Sequence, residues 1–252
     1  MRGKMETLAV FHILKNGGTT LVDRYRLNHS FVYQRVHNEV VYNYKQSNQM
    51  CSKVSNLKDY DVRMIFGHGV NFGLSYVLQN NVKYVTILRD PVDRIVSAYN
   101  YFRLEMITVH NHITDIDFTT WIINCSRMLP TPVYNQYQQF SGQHCLRIDY
   151  GRKIDEEQER MSYEQALASV DRLSHVFFME DNYIEKFDKL AEEYKLKPDT
   201  SVIHTHNTKT SLLKHGLEYK TADSLEPHEE QLLLDTVAKD IEFYNYCKGK
   251  FV

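Results

Sequence analysis

The chain has 252 residues, enough for one large α/β domain or two small ones. Hydrophobic residues make up 42% and charged residues 25%, which suits a globular protein with a sizeable core. The balance of 30 basic against 32 acidic residues argues against wholesale nucleic-acid wrapping, which needs a large basic excess, but not against a local basic cleft.

The four cysteines (Cys51, Cys125, Cys145, Cys247) are scattered and form no C-x-x-C pair. That spacing disfavours a structural zinc site and neither assigns nor excludes disulfides. No run approaches the roughly 18 apolar residues of a membrane-spanning helix. The opening "MRGKMETLAVFHI" is basic, but its apolar stretch meets Lys15 without a small-residue cleavage site, so it reads as a first strand and not a signal peptide.

In chain order, the apolar run "TLAVFHIL" (7–14) ends at glycines and suits a buried strand. "VRMIFGH" (62–68) and "VKYVTILRD" (82–90) read the same way, and "HVFFME" (175–180) is a fourth strand. "PVDRIVSAYNYFRLEM" places Pro91 in a first helical turn and Val92, Ile95, Val96, Tyr99 and Phe102 on one stripe. "SYEQALASVDRL" opens with Ser162 and has Gln165 three residues on, a capping-box pattern for a helix start. "NYIEKFDKLAEEYKL" and "EPHEEQLLLDTVAKDIEFYNYC" are amphipathic helices, and the acidic run "DEEQER" (155–160) is a solvated helix face. Strands alternating with helices, with no linker or repeat between them, predict a single α/β domain over 1–252. Its mainly parallel sheet would be flanked by helices.

The stretch after the first strand, Lys15-Asn16-Gly17-Gly18-Thr19-Thr20, sets two adjacent glycines in a chain that has only 10. A tight glycine turn between a parallel strand and a helix presents backbone N–H groups at a helix N-terminus, and glycines let a phosphate come close. Lys15 adds a mobile positive charge, and Thr19 and Thr20 add hydroxyls. A plain strand-to-helix turn with a capping threonine is the competing reading of these residues alone. The order is not that of a Walker A loop, whose lysine follows its glycines, which disfavours an ordinary NTPase or kinase. A second stretch, "TILRDPVDRIVSAYNYFR" (86–103), puts Arg89 at a strand end and Ser97 eight residues later on the following helix. One turn and about two helical turns fold Ser97 back near Arg89, making a second phosphate site.

These two stretches resemble the sulfotransferases that use 3′-phosphoadenosine 5′-phosphosulfate (PAPS), and look closest to the branch of heparan sulfate and dermatan/chondroitin 2-O-sulfotransferases. "HILKNGGTT" is similar to that family's 5′-phosphosulfate loop, with Asn16 where Thr, Ser or Ala is more usual. "LRDPVDRIVSAY" is similar to its 3′-phosphate motif. "FGHGVNFGL" (66–74) resembles the segment that bears the proposed base, and "NQYQQFSG" (135–142) resembles a helix of the family. The resemblance implies a P-loop-like sulfotransferase fold, PAPS as donor with PAP as product, no metal, and a carbohydrate acceptor such as a polysaccharide or glycosaminoglycan. It also implies donor contacts from Lys15 to Thr20, from Arg89 and from Ser97. A polar stretch, "HTHNTKTS" (204–211), is by default a solvated loop. A comparable family segment closes over the nucleotide, which adds Asn207, Lys209 and Ser211 as further donor contacts.

Lys15 is the group to stabilise charge on the leaving phosphate. Histidine is the side chain suited to a base near neutral pH. Of 12 histidines, His68 ends a strand, follows Gly67 and matches the family's Gly-His segment. His12 reads as structural, and His110 and His112 as loop residues. A sulfated polymer calls for a basic groove, for which Arg103, Arg127, Arg147, Arg152 and Lys153 are the candidates. Other readings are a sulfotransferase for a small alcohol, lipid or peptide, a non-catalytic nucleotide-binding protein, and a magnesium-dependent phosphoryl-transfer enzyme. No oligomeric state follows from the sequence. Localisation would be the Golgi lumen for the catalytic domain of an anchored animal-type enzyme, and otherwise cytoplasmic.

Overall fold

The computed structural model describes residues 6–13, 15–26, 63–67, 70–78, 81–110, 116–127, 136–141, 156–202 and 208–252. Four strands form one parallel sheet: β1 (Glu6–Phe11), β2 (Met64–Gly67), β3 (Asn81–Leu88) and β4 (Leu173–Phe178), in the order β2-β1-β3-β4. They correspond to the four apolar runs: β2 is trimmed at both ends, whereas β1, β3 and β4 start one or two residues earlier and stop sooner than the runs. The helices are α1 (Gly18–Arg26), α2 (Leu74–Leu78), α3 (Pro91–Thr108), α4 (Phe118–Arg127), α5 (Glu156–Val170), α6 (Tyr183–Glu193), α7 (Thr208–Lys214) and α8 (Pro227–Phe251). Among the described residues, no helix is long and apolar enough to cross a membrane.

The period-two geometry of a strand explains why β1 is apolar throughout. Leu8 and Val10 face one way and pack with Leu21, Tyr25, Phe187 and Leu190 of α1 and α6. Ala9 and Phe11 face the other way and pack with Leu74, Ala166, Val170 and Phe243 of α2, α5 and α8. The sheet is covered on both faces, as a parallel sheet must be. A third cluster joins α3 (Ile95, Val96, Tyr99), α4 (Phe118, Trp121, Ile122) and α8 (Leu233, Val237). This is an α/β architecture with a parallel sheet between helices, as the sequence predicts.

Two expectations about helices are corrected. Ser162 does not start a helix: α5 begins at Glu156, and Ser162 is fully buried in its interior. The upstream residues are good helix formers, and Arg160 pairs with Glu157 and Glu164 at 2.6 Å each, so the acidic run carries the helix a further turn and a half. The stretch 204–211 is not wholly a loop either, since Thr208–Lys214 is α7 and packs on α3. Helix α4 had no counterpart among the expected elements. Its apolar residues Phe118, Trp121 and Ile122 follow the i, i+3, i+4 spacing that would have revealed it.

The strand order places the site. From β1 the chain pairs β2 on one side and β3 on the other, so the order reverses across β1 and β3. Ligands of open α/β sheets bind outside the carboxyl ends of the strands at such a switch point. The carboxyl end of β1 leads into Lys15–Gly18, and that of β3 into Arg89.

Candidate functional site

The loop after β1 is held in a shape that ordinary residues adopt reluctantly. Lys15 and Gly17 both have positive φ (67° and 71°). For the lysine this left-handed conformation costs energy, roughly 1 kcal/mol or more. The two glycines have different causes. Gly17 needs its positive φ, and a Cβ there would also strike the Tyr183 hydroxyl, which donates to Gly17 O at 3.1 Å. At Gly18 a Cβ would fall on the His12 ring. His12 is buried against Phe66, with ring centroids 4.9 Å apart, so it serves as the wall on which the helix start rests.

Asn16 is buried, and its side chain turns inward. Its Nδ2 donates to Ile87 O (2.8 Å) and to Gln136 Oε1 (2.6 Å). It therefore meets a ligand through its backbone if at all, while its side chain ties the loop to β3. Thr20 is also buried, with its N–H on Gly17 O at 3.2 Å, and Thr19 stands at the second position of α1.

The second stretch converges on the first. The Arg89 guanidinium donates through Nη1 to Lys15 O at 3.3 Å. Asp90 caps α3, its Oδ1 accepting from Val92 N (2.9 Å) and Asp93 N (3.1 Å), with Pro91 at the first helical position as the sequence predicts. Ser97, half-buried, lies one turn before Tyr101 and two turns before Glu105 on the same face of α3. The Lys15 ammonium lies 4.1 Å over the Tyr101 ring. That contact turns the face carrying Ser97 toward the loop. Burial draws the Lys15 ammonium down to about 8, the Arg89 charge pushes the same way, and Glu105 opposes them. Two cations are thus held close enough to repel at the end of a helix whose first N–H groups have no intrahelical acceptor. An anion between them would relieve that repulsion.

Gln136 is the residue that the sequence reading missed. It opens a 3-10 turn, Gln136–Gln139, where a helix is expected, and its carboxamide is fully buried. Its Oε1 accepts from Arg89 N (3.0 Å) as well as from Asn16, and its Nε2 donates to Arg89 O (2.7 Å) and to Asp240 Oδ2 (3.3 Å). Asp240, on α8, also accepts from Gln136 N (2.5 Å) and pairs with Arg94 (3.5 Å). Nothing local marks these residues, because the partners lie 104 and 120 positions apart.

The remaining candidates divide. His68 follows the last residue of β2 but lies outside the described residues, as do Asn207 and His112. Lys209 is exposed and Ser211 half-buried on α7. Arg103 does not line an open groove: it is buried, donates to Glu218 O (2.8 Å) and lies over Tyr99. The side chains of Arg127, Arg147, Arg152 and Lys153 fall outside the described residues. His110 is an exposed turn residue. Cys247 is a free thiol buried under α8, pushed up to about 12 by burial, and so is poorly suited to nucleophilic work. No cluster of three or more His, Cys, Asp or Glu able to hold a metal ion occurs among the described residues.

No curated protein matches the chain. A family model described as a sulfotransferase domain matches residues 10–150, a span that begins within β1 and takes in the glycine loop, β3, Arg89 and Gln136. That span is more than half of the 252 residues, and the chain therefore belongs to the sulfotransferase domain family.

Proposed function

We propose that the protein transfers a sulfuryl group from PAPS to a hydroxyl of a carbohydrate acceptor, polysaccharide or glycosaminoglycan-like. The observation that carries the donor half is the meeting of Lys15 and Arg89 at the switch point, with Arg89 Nη1 on Lys15 O and the two charges repelling. The residues fit a donor with phosphates at both ends. Gly17 and Gly18 let the loop fold tightly against Tyr183 and His12 at the start of α1, and Lys15 supplies the charge at that end. Arg89 and Ser97 serve the other end. When bound, PAPS supplies the activated sulfuryl group and leaves as PAP.

In this reading the chain's own residues do three things. Lys15 places an ammonium where negative charge grows on the leaving phosphate oxygen. Arg89, its backbone clamped by Gln136, holds the 3′-phosphate in register. His68 takes the proton from the acceptor hydroxyl as its oxygen bonds to sulfur. Residues beyond the matched span act with the rest as one catalytic domain, since β4 extends the sheet and α8 supplies Asp240. The carbohydrate acceptor is supported by the resemblance of the 66–74 and 86–103 stretches to the 2-O-sulfotransferase branch.

Calorimetric titration with PAP, run beside ATP and ADP with and without magnesium, tests the donor assignment. Metal-independent PAP binding that weakens at least tenfold in Arg89→Ala is expected, since a charge-assisted contact of about 1.5–3 kcal/mol is lost. Preference for ATP with magnesium would overturn it. For the base, His68→Ala is expected to keep PAP affinity and lose about 10²–10⁴-fold in turnover. A variant with wild-type turnover would remove His68 from the mechanism.

A further inference from the structure

We propose that Gln136 is a positioning residue that fixes the Lys15–Gly18 loop against the Arg89 strand end, and that Asp240 of the last helix holds it there. The inference rests on the donor reading above. It assigns a role to residues that touch neither donor nor acceptor in that reading.

The Gln136 carboxamide sits at the centre of the network. Its oxygen accepts from Asn16 Nδ2 (2.6 Å) and Arg89 N (3.0 Å), and its nitrogen donates to Arg89 O (2.7 Å) and Asp240 Oδ2 (3.3 Å). A buried amide can make about four such bonds, and here all four are made. Two of them grip both backbone groups of Arg89, as a neighbouring strand would, at the point where β3 ends. The third reaches the loop through Asn16, whose other Nδ2 bond goes to Ile87 O (2.8 Å). One side chain therefore sets the separation of the two donor-binding segments.

Asn16 supports a positioning role over a purely stabilising one. It is buried, yet its Oδ1 has no hydrogen-bond partner among the described residues. A buried acceptor left unmade costs about 1–3 kcal/mol, and the fold carries that cost where Asn16 Nδ2 reaches Gln136 and Ile87 together. The fourth bond of Gln136 anchors the device to α8, where Asp240 Oδ1 accepts from Gln136 N (2.5 Å) and Tyr137 N (3.4 Å). Asp240 lies beyond residues 10–150, so the device joins the matched span to the C-terminal helix.

A ligand with two phosphates profits from a fixed separation of its two sites, because engaging one delivers the other at high effective concentration. A ligand with one phosphate does not. The test therefore compares PAP with 5′-AMP and 3′-AMP by titration, in the wild type, Gln136→Leu and Asn16→Ala. In Gln136→Leu, PAP affinity is expected to fall at least about tenfold, with each single-phosphate nucleotide unchanged within about twofold. Asn16→Ala keeps the grip on Arg89 and removes only the tie to the loop. It is expected to show the same selective loss at smaller size, and it decides the matter if Gln136→Leu does not fold. An equal loss for all three ligands, which general loosening of the fold produces, or an unchanged PAP affinity would overturn the positioning role. Failure of the wild type to prefer PAP over both single-phosphate nucleotides would instead overturn the donor reading, and this inference with it.

Discussion

Lys15→Ala is expected to lower turnover by about 10²–10³-fold while reducing PAP affinity far less. The reason is where its charge sits. In the free protein the ammonium lies over Tyr101, half-buried, on a loop whose backbone is already held in place by Asn16 and Arg89. Removing the side chain leaves Gly17, Gly18 and the start of α1 intact for ground-state binding. It removes a mobile cation able to follow charge onto the leaving oxygen. Single-turnover measurements with saturating donor check this, and a wild-type rate would sink the assignment.

The same lysine has a proton signature. Its free-protein value is drawn down to about 8, so near pH 8 about half of the molecules carry it neutral. An anionic ligand favours the ammonium and returns the value upward, so PAP binding at that pH should take up protons. Calorimetry in buffers of different ionisation enthalpy would show uptake in the wild type and none in Lys15→Ala. The sign for folding is the reverse of a salt-bridged lysine. With the folded value below the unfolded 10.5, Lys15 favours the fold most above 10.5, and that contribution is lost as pH falls through about 8.

The second large effect is on stability. Asp240→Ala is expected to cost about 3–5 kcal/mol, because it removes the carboxylate paired with Arg94, fully buried beside it, and the acceptor of the Gln136 and Tyr137 N–H groups. Burial pushes the Asp240 carboxyl up and the Arg94 guanidinium down, each against the pull of the other. Replacing the pair by apolar residues of similar volume should recover the part of the loss that comes from the Arg94 charge, since a buried ion pair contributes little net stability, but not the part that comes from the two N–H groups. Urea unfolding of Asp240→Ala and of Arg94→Met/Asp240→Leu checks both statements. A loss below about 1 kcal/mol for Asp240→Ala would show that Arg94 finds another partner.

Much of the candidate site was legible because its signals are local. A glycine pair beside a lysine, and an arginine followed by a capping aspartate and proline, are statements about adjacent residues. The backbone enforces them wherever the chain lies. The four strands were legible for the same reason, since a doubly covered parallel sheet writes itself as short apolar runs. Ser162 misled because a capping pattern is only a few residues long, and the helix formers upstream carried α5 past it.

The sequence alone thus determined the α/β class, the four strands and the placement of Lys15, Gly17, Gly18 and Arg89 at strand ends. It also put Tyr99 on the apolar stripe of α3, where it packs into the core, but gave no role to Tyr101, which underlies the Lys15 ammonium. Only the tertiary structure decided that Asn16 turns inward, that Tyr183 and His12 are what the two glycines make room for, and that Gln136 and Asp240 bind the halves of the site together. Apart from His12, a near neighbour of Gly18, these contacts join residues more than a hundred positions apart, Asn16 with Gln136, Gly17 with Tyr183 and Gln136 with Asp240. No periodicity or short motif encodes such a pair; packing of the elements creates it.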